Sequence, residues 1–495
     1  MMERINLGYI VKINGSSIVC SVNNNNAVRN VLINNFNLNF ISIGALAGTR
    51  LVDGRILVVT IEEIYDHDNN IFFNASINGI YDEVLKKYTF GTNSYPLINE
   101  IVFKLDDSVL KNVFDIKYLD NKPSIGKYFY NETINVFYNP NIMFGKHLGV
   151  FGNTGSGKTC TVVSLIQNFV RENPNKDIKF IILDVNGEYK NAFDHNEYDY
   201  FNYKDLRFNH HILNNVEYGK LFRASEGIQY PALKDSIREL KKVKRDTWLI
   251  KDLPNKLNDW AKSKTPNNQY GKPDNFNINQ INGFLRTLIY RIEQVLSDSD
   301  LLTIIDTPND KSTLDFINES KKKIFILDLQ TSLDSLDIIL YLLFKTIYNE
   351  KSIRQSGSHM CLVLEEAHRY INANSSETQL GTYYIDKLAR EGRKFGIGLI
   401  ISSQVPSMLS YEIVSQCNSV IMHKITNKRD LEFLRGVMRV SNNSFYLQMS
   451  SLEKQYAIVC GEAFSNDTIV KINDARPLPK SSDPIIGIIS DCEDK

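Results

Sequence analysis

The chain is poor in cysteine and tryptophan, with six of the first and two of the second in 495 residues. The cysteines, at 20, 160, 361, 417, 460 and 492, are scattered, with no two at metal-ligand spacing. That pattern excludes a disulfide framework and a cysteine-built zinc site, and it predicts reduced, mostly buried thiols in a cytoplasmic protein. Long hydrophobic runs are missing as well. The longest unbroken aliphatic-aromatic run is the seven residues Ile338 to Phe344, far short of the ~20 needed to cross a bilayer. Met1-Met2-Glu3-Arg4-Ile5-Asn6 has no apolar signal core, so no membrane attachment is expected. Charge of one sign is absent too: 57 Lys+Arg balance 57 Asp+Glu. The balance excludes binding of polyanions or acidic membranes by bulk charge and leaves room for a local basic surface.

What is present is ordinary globular usage, 43% hydrophobic and 23% charged, in a chain long enough for about three domains at roughly 150 residues each. The first third reads as β structure. Gly8 to Ile13, Asn14-Gly15 and Ile18 to Val22 form strand, turn and strand, and Asn-Gly suits a tight hairpin because both residues tolerate positive φ. Arg55 to Ile61, Ile71 to Ile77 and Glu100 to Lys104 add short strands. Regular short strands with turn signals predict a small barrel or sandwich, and helical periodicity is lacking before about residue 105.

Near residue 145 the pattern changes. Short apolar runs at Leu148–Phe151, Phe180–Leu183, Ile324–Leu327, Leu362–Leu364, Ile397–Ile401, Val420–Met422 and Ala457–Val459 alternate with amphipathic stretches. Such runs read as strands buried on both faces of a mainly parallel sheet. Ser335 to Asn349 has apolar residues at 336, 339, 340, 343 and 347, the spacing of a covering helix. The fold class is therefore α/β. Residues 190 to about 320 interrupt the alternation and read as a mostly helical insertion. They contain Trp248, Trp260 and the basic cluster Lys241-Lys242-Val243-Lys244-Arg245, which is either a solvated helix face or a nucleic-acid contact.

Gly152-Asn153-Thr154-Gly155-Ser156-Gly157-Lys158-Thr159 matches G-x-x-x-x-G-K-[ST] between an apolar strand and a helical start, the context of a phosphate-binding loop. Glycines let backbone N–H groups wrap the phosphates, and the helix that follows, opened by Val162 to Ile166, points its positive end at the same anion, with Cys160 counted among the nucleotide-binding residues. Lys158 is expected on the β- and γ-phosphates of ATP, and the Thr159 hydroxyl on Mg²⁺. Met360 to Glu366 is an apolar strand ending in two acids. Glu365 is expected to hold Mg²⁺ through water and Glu366 to polarise the attacking water. Asp184 and Gln404 end two further apolar runs, at the sheet edge where parallel α/β folds bind ligands. Arg390 and Arg393, just before the run that leads to Gln404, are candidates for stabilising phosphoryl charge. His368 follows the acid pair without a metal-ligand partner at helical spacing.

These motifs together resemble the HerA family of DNA-translocating ATPases: Gly152 to Thr159, Asp184-Val185-Asn186-Gly187-Glu188-Tyr189, Leu364-Glu365-Glu366-Ala367-His368, Arg390 to Ile397 and Ser403-Gln404-Val405-Pro406-Ser407. Ala475-Arg476-Pro477-Leu478-Pro479 is similar to that family's C-terminal signature. The resemblance implies a small β-barrel at 1–137, a RecA-like ATPase domain at 138–473 and a tail at 474–495 that contacts a neighbouring subunit. It implies a homo-hexameric ring around double-stranded DNA, with ATP and Mg²⁺ at subunit interfaces. Lys146 stands where the family places a basic residue that acts on the neighbour's nucleotide. The family works with a separate effector chain, a nuclease or a SIR2-like NAD-consuming enzyme, in DNA-end processing or defence against phage. A ring that gates an effector with little DNA transport, and a conjugation or secretion motor, are the competing expectations.

Overall fold

Asn14 shows how local chemistry builds the first hairpin. Its side-chain Oδ1 accepts from the backbone N–H of Ser17 at 2.7 Å and of Ser16 at 3.1 Å, closing β1 (Asn6–Ile13) onto β2 (Ser17–Ser21). Neither Asn14 nor Gly15 takes a positive φ. The turn is thus held by an Asn side chain, not by the left-handed backbone that the Asn-Gly pair predicts. The computed structural model describes residues 4–22, 31–33, 36–38, 41–117, 119–263, 278–307, 311–354, 358–371, 380–437 and 444–480.

A small hairpin of β3 (Val31–Ile33) and β4 (Phe36–Leu38) follows. The barrel is completed by β5 (Leu46–Arg50), β6 (Ile56–His67), β7 (Asn70–Asp82), β8 (Lys87–Phe90) and β9 (Ile101–Lys104). The order β2-β1-β9-β5-β6-β7 closes on itself through β2–β7 pairing, and β8 extends from β7. Closure removes unpaired strand edges, and Ile10, Ile18, Leu57, Val59, Phe73 and Val102 fill the interior.

The next two strands, β10 (Ser124–Tyr128) and β11 (Asn131–Phe137), correct the expectation that the barrel runs to residue 137. They join a second sheet, where β10 pairs antiparallel with β20 (Thr468–Ile472). The second sheet has, among the described residues, eleven strands. Its parallel part comprises β12 (His147–Phe151), β13 (Ile178–Asp184), β14 (Tyr198–Asn202), β15 (Ile324–Asp328), β16 (His359–Leu364), β17 (Ile397–Ser403) and β18 (Ser419–Met422). β19 (Tyr456–Gly461) and β20 run antiparallel. β12, β13, β15 and β17 are buried along their whole length, as helix cover on both faces demands. The helix Leu333–Arg354 buries Leu336, Ile339, Leu340, Leu343 and Ile347, the residues whose spacing predicts it.

The segment between β13 and β15 is mostly helical, with helices at Asn215–Leu221, Gln229–Lys244, Leu253–Ser263, Ile278–Ser297, Ser299–Ile305 and Thr313–Glu319. It is not a pure insertion, because it supplies β14 to the edge of the sheet beside β15. Trp248 is fully buried at its centre. Among the described residues no helix is long and apolar enough to cross a membrane.

Candidate functional site: a phosphate-binding loop facing a glutamate pair

Parallel alignment brings the carboxyl ends of β12, β13, β16 and β17 to one edge of the sheet. The loop after β12 runs from Gly152 to Thr159 into the Lys158–Glu172 helix. Gly155 and Gly157 take φ of 71° and 109°, which L side chains rarely adopt. A Cβ on Gly152 would lie 2.6 Å from both the His423 Cβ and the Ser156 Oγ, so the loop closes only with glycine there. Lys158 is buried and its Nζ donates to the Asn153 carbonyl at 3.1 Å. Burial lowers its pKa, while Glu366, Glu365 and Glu188 pull it back up. Asn153 also donates to Thr426 Oγ1 at 2.8 Å, tying the loop to the segment after β18. Cys160 is half-buried in the first turn of the helix.

The two acids after β16 sit in different surroundings. Glu365 is buried, accepting from the Tyr189 hydroxyl at 2.6 Å and from Ser402 Oγ at 3.3 Å. Burial pushes its pKa up to about 7, and Glu366 and Glu188 add to the rise against the Tyr189 bond. Glu366 takes the left-handed conformation, φ 46° and ψ 47°, a costly state for a non-glycine residue that clusters at functional sites. Its Oε1 accepts from Gln404 Nε2. Its Oε2 is buried without a hydrogen-bond donor and lies 3.3 Å from His368 Nδ1. Gln404 in turn accepts from Thr154 Oγ1 at 2.5 Å. One glutamine therefore ties the phosphate-binding loop to the carboxylate that has an oxygen to spare. A buried carboxylate oxygen with no donor is a place for a water.

Asp184 is fully buried, and its carboxylate accepts from the N–H groups of Asn186, Gly187, Glu188 and Tyr189 at 2.8–3.3 Å. It folds the loop after β13, and among the described residues the hydrogen-bond partners of its carboxylate all lie in that loop. The residue that does reach that loop is Glu188, whose Oε2 accepts from Thr159 Oγ1 at 2.8 Å. Burial raises the Glu188 pKa, with Thr159 opposing. Glu188 and Tyr189 lie inside the Asp184–Tyr189 motif, yet a strand-end rule picks out only its first acid. His423, at the end of β18, is likewise unsignalled in sequence. It contacts Thr161 Oγ1 at 2.9 Å, and burial together with Lys158 holds its pKa at about 3.

Lys146, Arg390 and Arg393 stand apart from this cluster. Lys146 precedes β12, at the opposite end of that strand from the phosphate-binding loop, and pairs with Glu462. Arg393 is exposed and acts electrostatically on His147 and Glu462 at the same end. Arg390 is exposed and bonds Asp386 at 3.1 Å one helical turn away. Among the described residues none of the three forms an ion pair with a residue of the nucleotide site of its own chain. The tail, through Lys480, lies on its own chain: Arg476 N–H donates to Gln167 Oε1 at 2.8 Å, Gln167 Nε2 donates to the Pro477 carbonyl at 2.9 Å, and Lys480 N–H donates to the Glu188 carbonyl at 2.9 Å. The rest of the 474–495 tail expected to contact a neighbour, residues 481–495 with Cys492, lies outside the described residues.

The residues fit a nucleoside triphosphate with a divalent cation. The glycine cradle and Lys158 suit phosphates. Thr159 with Glu188, and the acid pair behind them, suit a hard cation. Among the described residues no three His, Cys, Asp or Glu side chains converge as a cage of their own, which is the usual state for Mg²⁺, bound largely through phosphate oxygens and water.

A phosphate-binding loop on a mainly parallel sheet, facing a glutamate pair and a glutamine, defines a P-loop ATPase, an ATP-hydrolysing enzyme. Residues 123–346 match the family model "Helicase HerA, central domain", a segment that opens one residue before β10. The DNA double-strand break repair helicase HerA of Saccharolobus solfataricus is 26% identical over 429 residues, covering 83% of this chain and 81% of that one. The fold is shared with VirB4 of Thermoanaerobacter pseudethanolicus, at a TM-score of 0.53 and 14% identity over 72% of this chain and 98% of that one. It is also shared with the plasmid coupling protein TrwB in complex with ADP and Mg²⁺, at a TM-score of 0.51 and 13% identity over 75% and 93%. The chain is similar to the HerA helicase central domain over residues 123–346 and to HerA helicases along most of its length.

Proposed function

We propose that the chain is an ATP-driven translocase of double-stranded DNA that assembles as a homo-hexameric ring and works with a separate effector chain. The observation that carries the reading is the Thr154–Gln404–Glu366 linkage, with Glu366 Oε2 buried and open. In the working site Glu366 polarises a water, Gln404 reports contact between that carboxylate and the phosphate-binding loop, and Lys158 holds negative charge on the phosphates. Thr159, with Glu188 and Glu365 nearby, would hold Mg²⁺, which when bound would neutralise phosphate charge. Lys146 and Arg393, which lie toward the end of β12 away from the phosphate-binding loop, act in this reading on a neighbouring subunit's nucleotide. The relatives named as DNA break repair helicases support DNA as the substrate. The effector is a nuclease or an NAD-consuming enzyme of the SIR2-like kind, and the setting is defence against phage or DNA-end processing.

A second reading has one observation in its favour. Lys146 is engaged by Glu462 within its own chain, and a candidate trans-acting lysine that is already paired suits a nucleotide-gated scaffold for the effector. ATP hydrolysis with and without double-stranded DNA, in wild type, Lys158→Ala and Glu366→Gln, tests the first reading. Wild-type hydrolysis that DNA stimulates and both substitutions abolish supports it, and equal rates in all three proteins reject it. Effector activity that survives Glu366→Gln but not ring disruption selects the scaffold.

A further inference from the structure

The helix Gln229–Lys244 contributes nothing to the nucleotide site. It buries Ala232, Leu233, Ser236, Ile237 and Leu240. On its outward side Lys234, Arg238, Lys241 and Lys242 stand at i, i+4, i+7 and i+8, one stripe of an α-helix. With Asn215 they line a single surface depression of about 320 Å³.

The two acids of this helix are turned to neighbours. Asp235 accepts from the Trp260 indole at 3.1 Å and lies 2.9 Å from Arg238, and Glu239 lies 3.5 Å from Lys256. Lys234, Lys241 and Lys242 make no ion pair among the described residues. Like charges three and four residues apart oppose helix formation, and Arg238 faces three of them. In a chain with no net charge, a concave face lined only by cations and one amide is a site for a polyanion.

We propose that this face binds the sugar-phosphate backbone of double-stranded DNA. The inference rests on the translocase reading and assigns it a contact surface outside the ATPase core. Lysine is depleted at protein–protein interfaces, which favour aromatic residues and methionine at their centre, and the depression contains neither. A helix rises 1.5 Å per residue, so Lys234 to Lys242 spans about 12 Å. One strand of a duplex presents a phosphate every ~3.4 Å along its axis, so the stripe matches three or four phosphates. Backbone contacts of this kind are blind to sequence and act through counterion release.

The test is duplex binding by the assembled full chain, followed by fluorescence anisotropy across a sodium chloride series, for wild type and the triple variant Lys234→Gln, Lys241→Gln, Lys242→Gln. Glutamine keeps helix propensity, and a thermal melt checks the fold. The expected result is a log K against log[salt] slope shallower by about 2–3 and binding at least ~10-fold weaker at low salt, with DNA-free ATP hydrolysis unchanged. Wild type that binds duplex while the variant keeps the same slope overturns this inference and leaves the translocase reading standing. Wild type that binds no duplex at any salt overturns both. A variant that keeps the slope but loses a co-purifying protein assigns the face to a protein partner and overturns the proposal.

Discussion

Thr159 donates its hydroxyl to Glu188 at 2.8 Å, so the carboxylate nearest the phosphate-loop threonine comes from the loop after β13. The acid pair after β16 has other partners, with Glu365 occupied by Tyr189 and Ser402 and Glu366 by Gln404. Glu188 is in turn tied through its backbone to Lys480 of the tail. The metal side of the site is therefore assembled from three segments that are far apart in sequence.

The first prediction follows from that assembly. Glu188→Gln is expected to weaken binding of Mg²⁺-nucleotide by about 10–100-fold, the range seen when a group supporting a metal ligand is removed. Binding of the nucleotide without Mg²⁺ should change little. Titration of a fluorescent ADP analogue with and without Mg²⁺ separates the two. Equal losses under both conditions would mean that Glu188 only braces the loop.

Glu366→Gln is expected to leave nucleotide affinity within a few-fold of wild type and to lower kcat by about 10²–10⁴, the contribution of a positioned general base. Gln404→Ala should reproduce part of that loss, because Gln404 fixes Glu366 against Thr154. In the double variant the two losses should not add, since both act through one carboxylate. Steady-state kinetics on all four proteins decide this, and full additivity would reject the linkage.

Glu365 predicts a pH dependence of stability. Its folded pKa is raised from the ordinary 4.5 to about 7. The stabilisation from keeping its proton is complete below about pH 4.5 and is lost as pH rises to 7. At ~1.4 kcal/mol per unit this is on the order of 3 kcal/mol. Glu365→Gln mimics the protonated form, so its Tm advantage over wild type should grow from pH 5 to 7.5 and level off above pH 8. Comparing the two melting curves cancels His423, whose low pKa acts in the opposite sense. A constant difference across the range would reject the raised pKa.

The parts of the fold legible in sequence are those fixed by local chemistry. The Gly152–Thr159 loop carries its strand, its glycines and its helix start within one short stretch. The strands ending at Glu365 and Gln404 announce themselves by a polar residue after an apolar run. β10 and β11 were hidden because a short strand looks the same in a barrel as at the edge of another sheet, and only pairing with distant β20 decides. Lys146 and Arg393 were legible as cations near the right strand, but sequence proximity does not say which end of β12 they serve. Glu188 was overshadowed by Asp184, because a strand end is visible in sequence and the turn that follows it is not.

Asp184 carries the last prediction. Four backbone N–H groups point at its carboxylate, and burial raises its pKa against those same bonds. Such an acid is the core of a folded loop. Asp184→Ala leaves buried donors without a partner, at roughly 1–3 kcal/mol each when water cannot replace the acceptor. A loss of stability on the order of 2–4 kcal/mol is expected in a thermal or urea melt. Released Glu188 and Tyr189 would also leave Thr159 and Glu365, so Mg²⁺-nucleotide affinity should fall together with stability. Asp184→Asn keeps an acceptor oxygen and should recover most of both. If Asp184→Ala instead melts like wild type while hydrolysis is abolished, the carboxylate takes part in the chemistry directly and the loop-folding role is secondary.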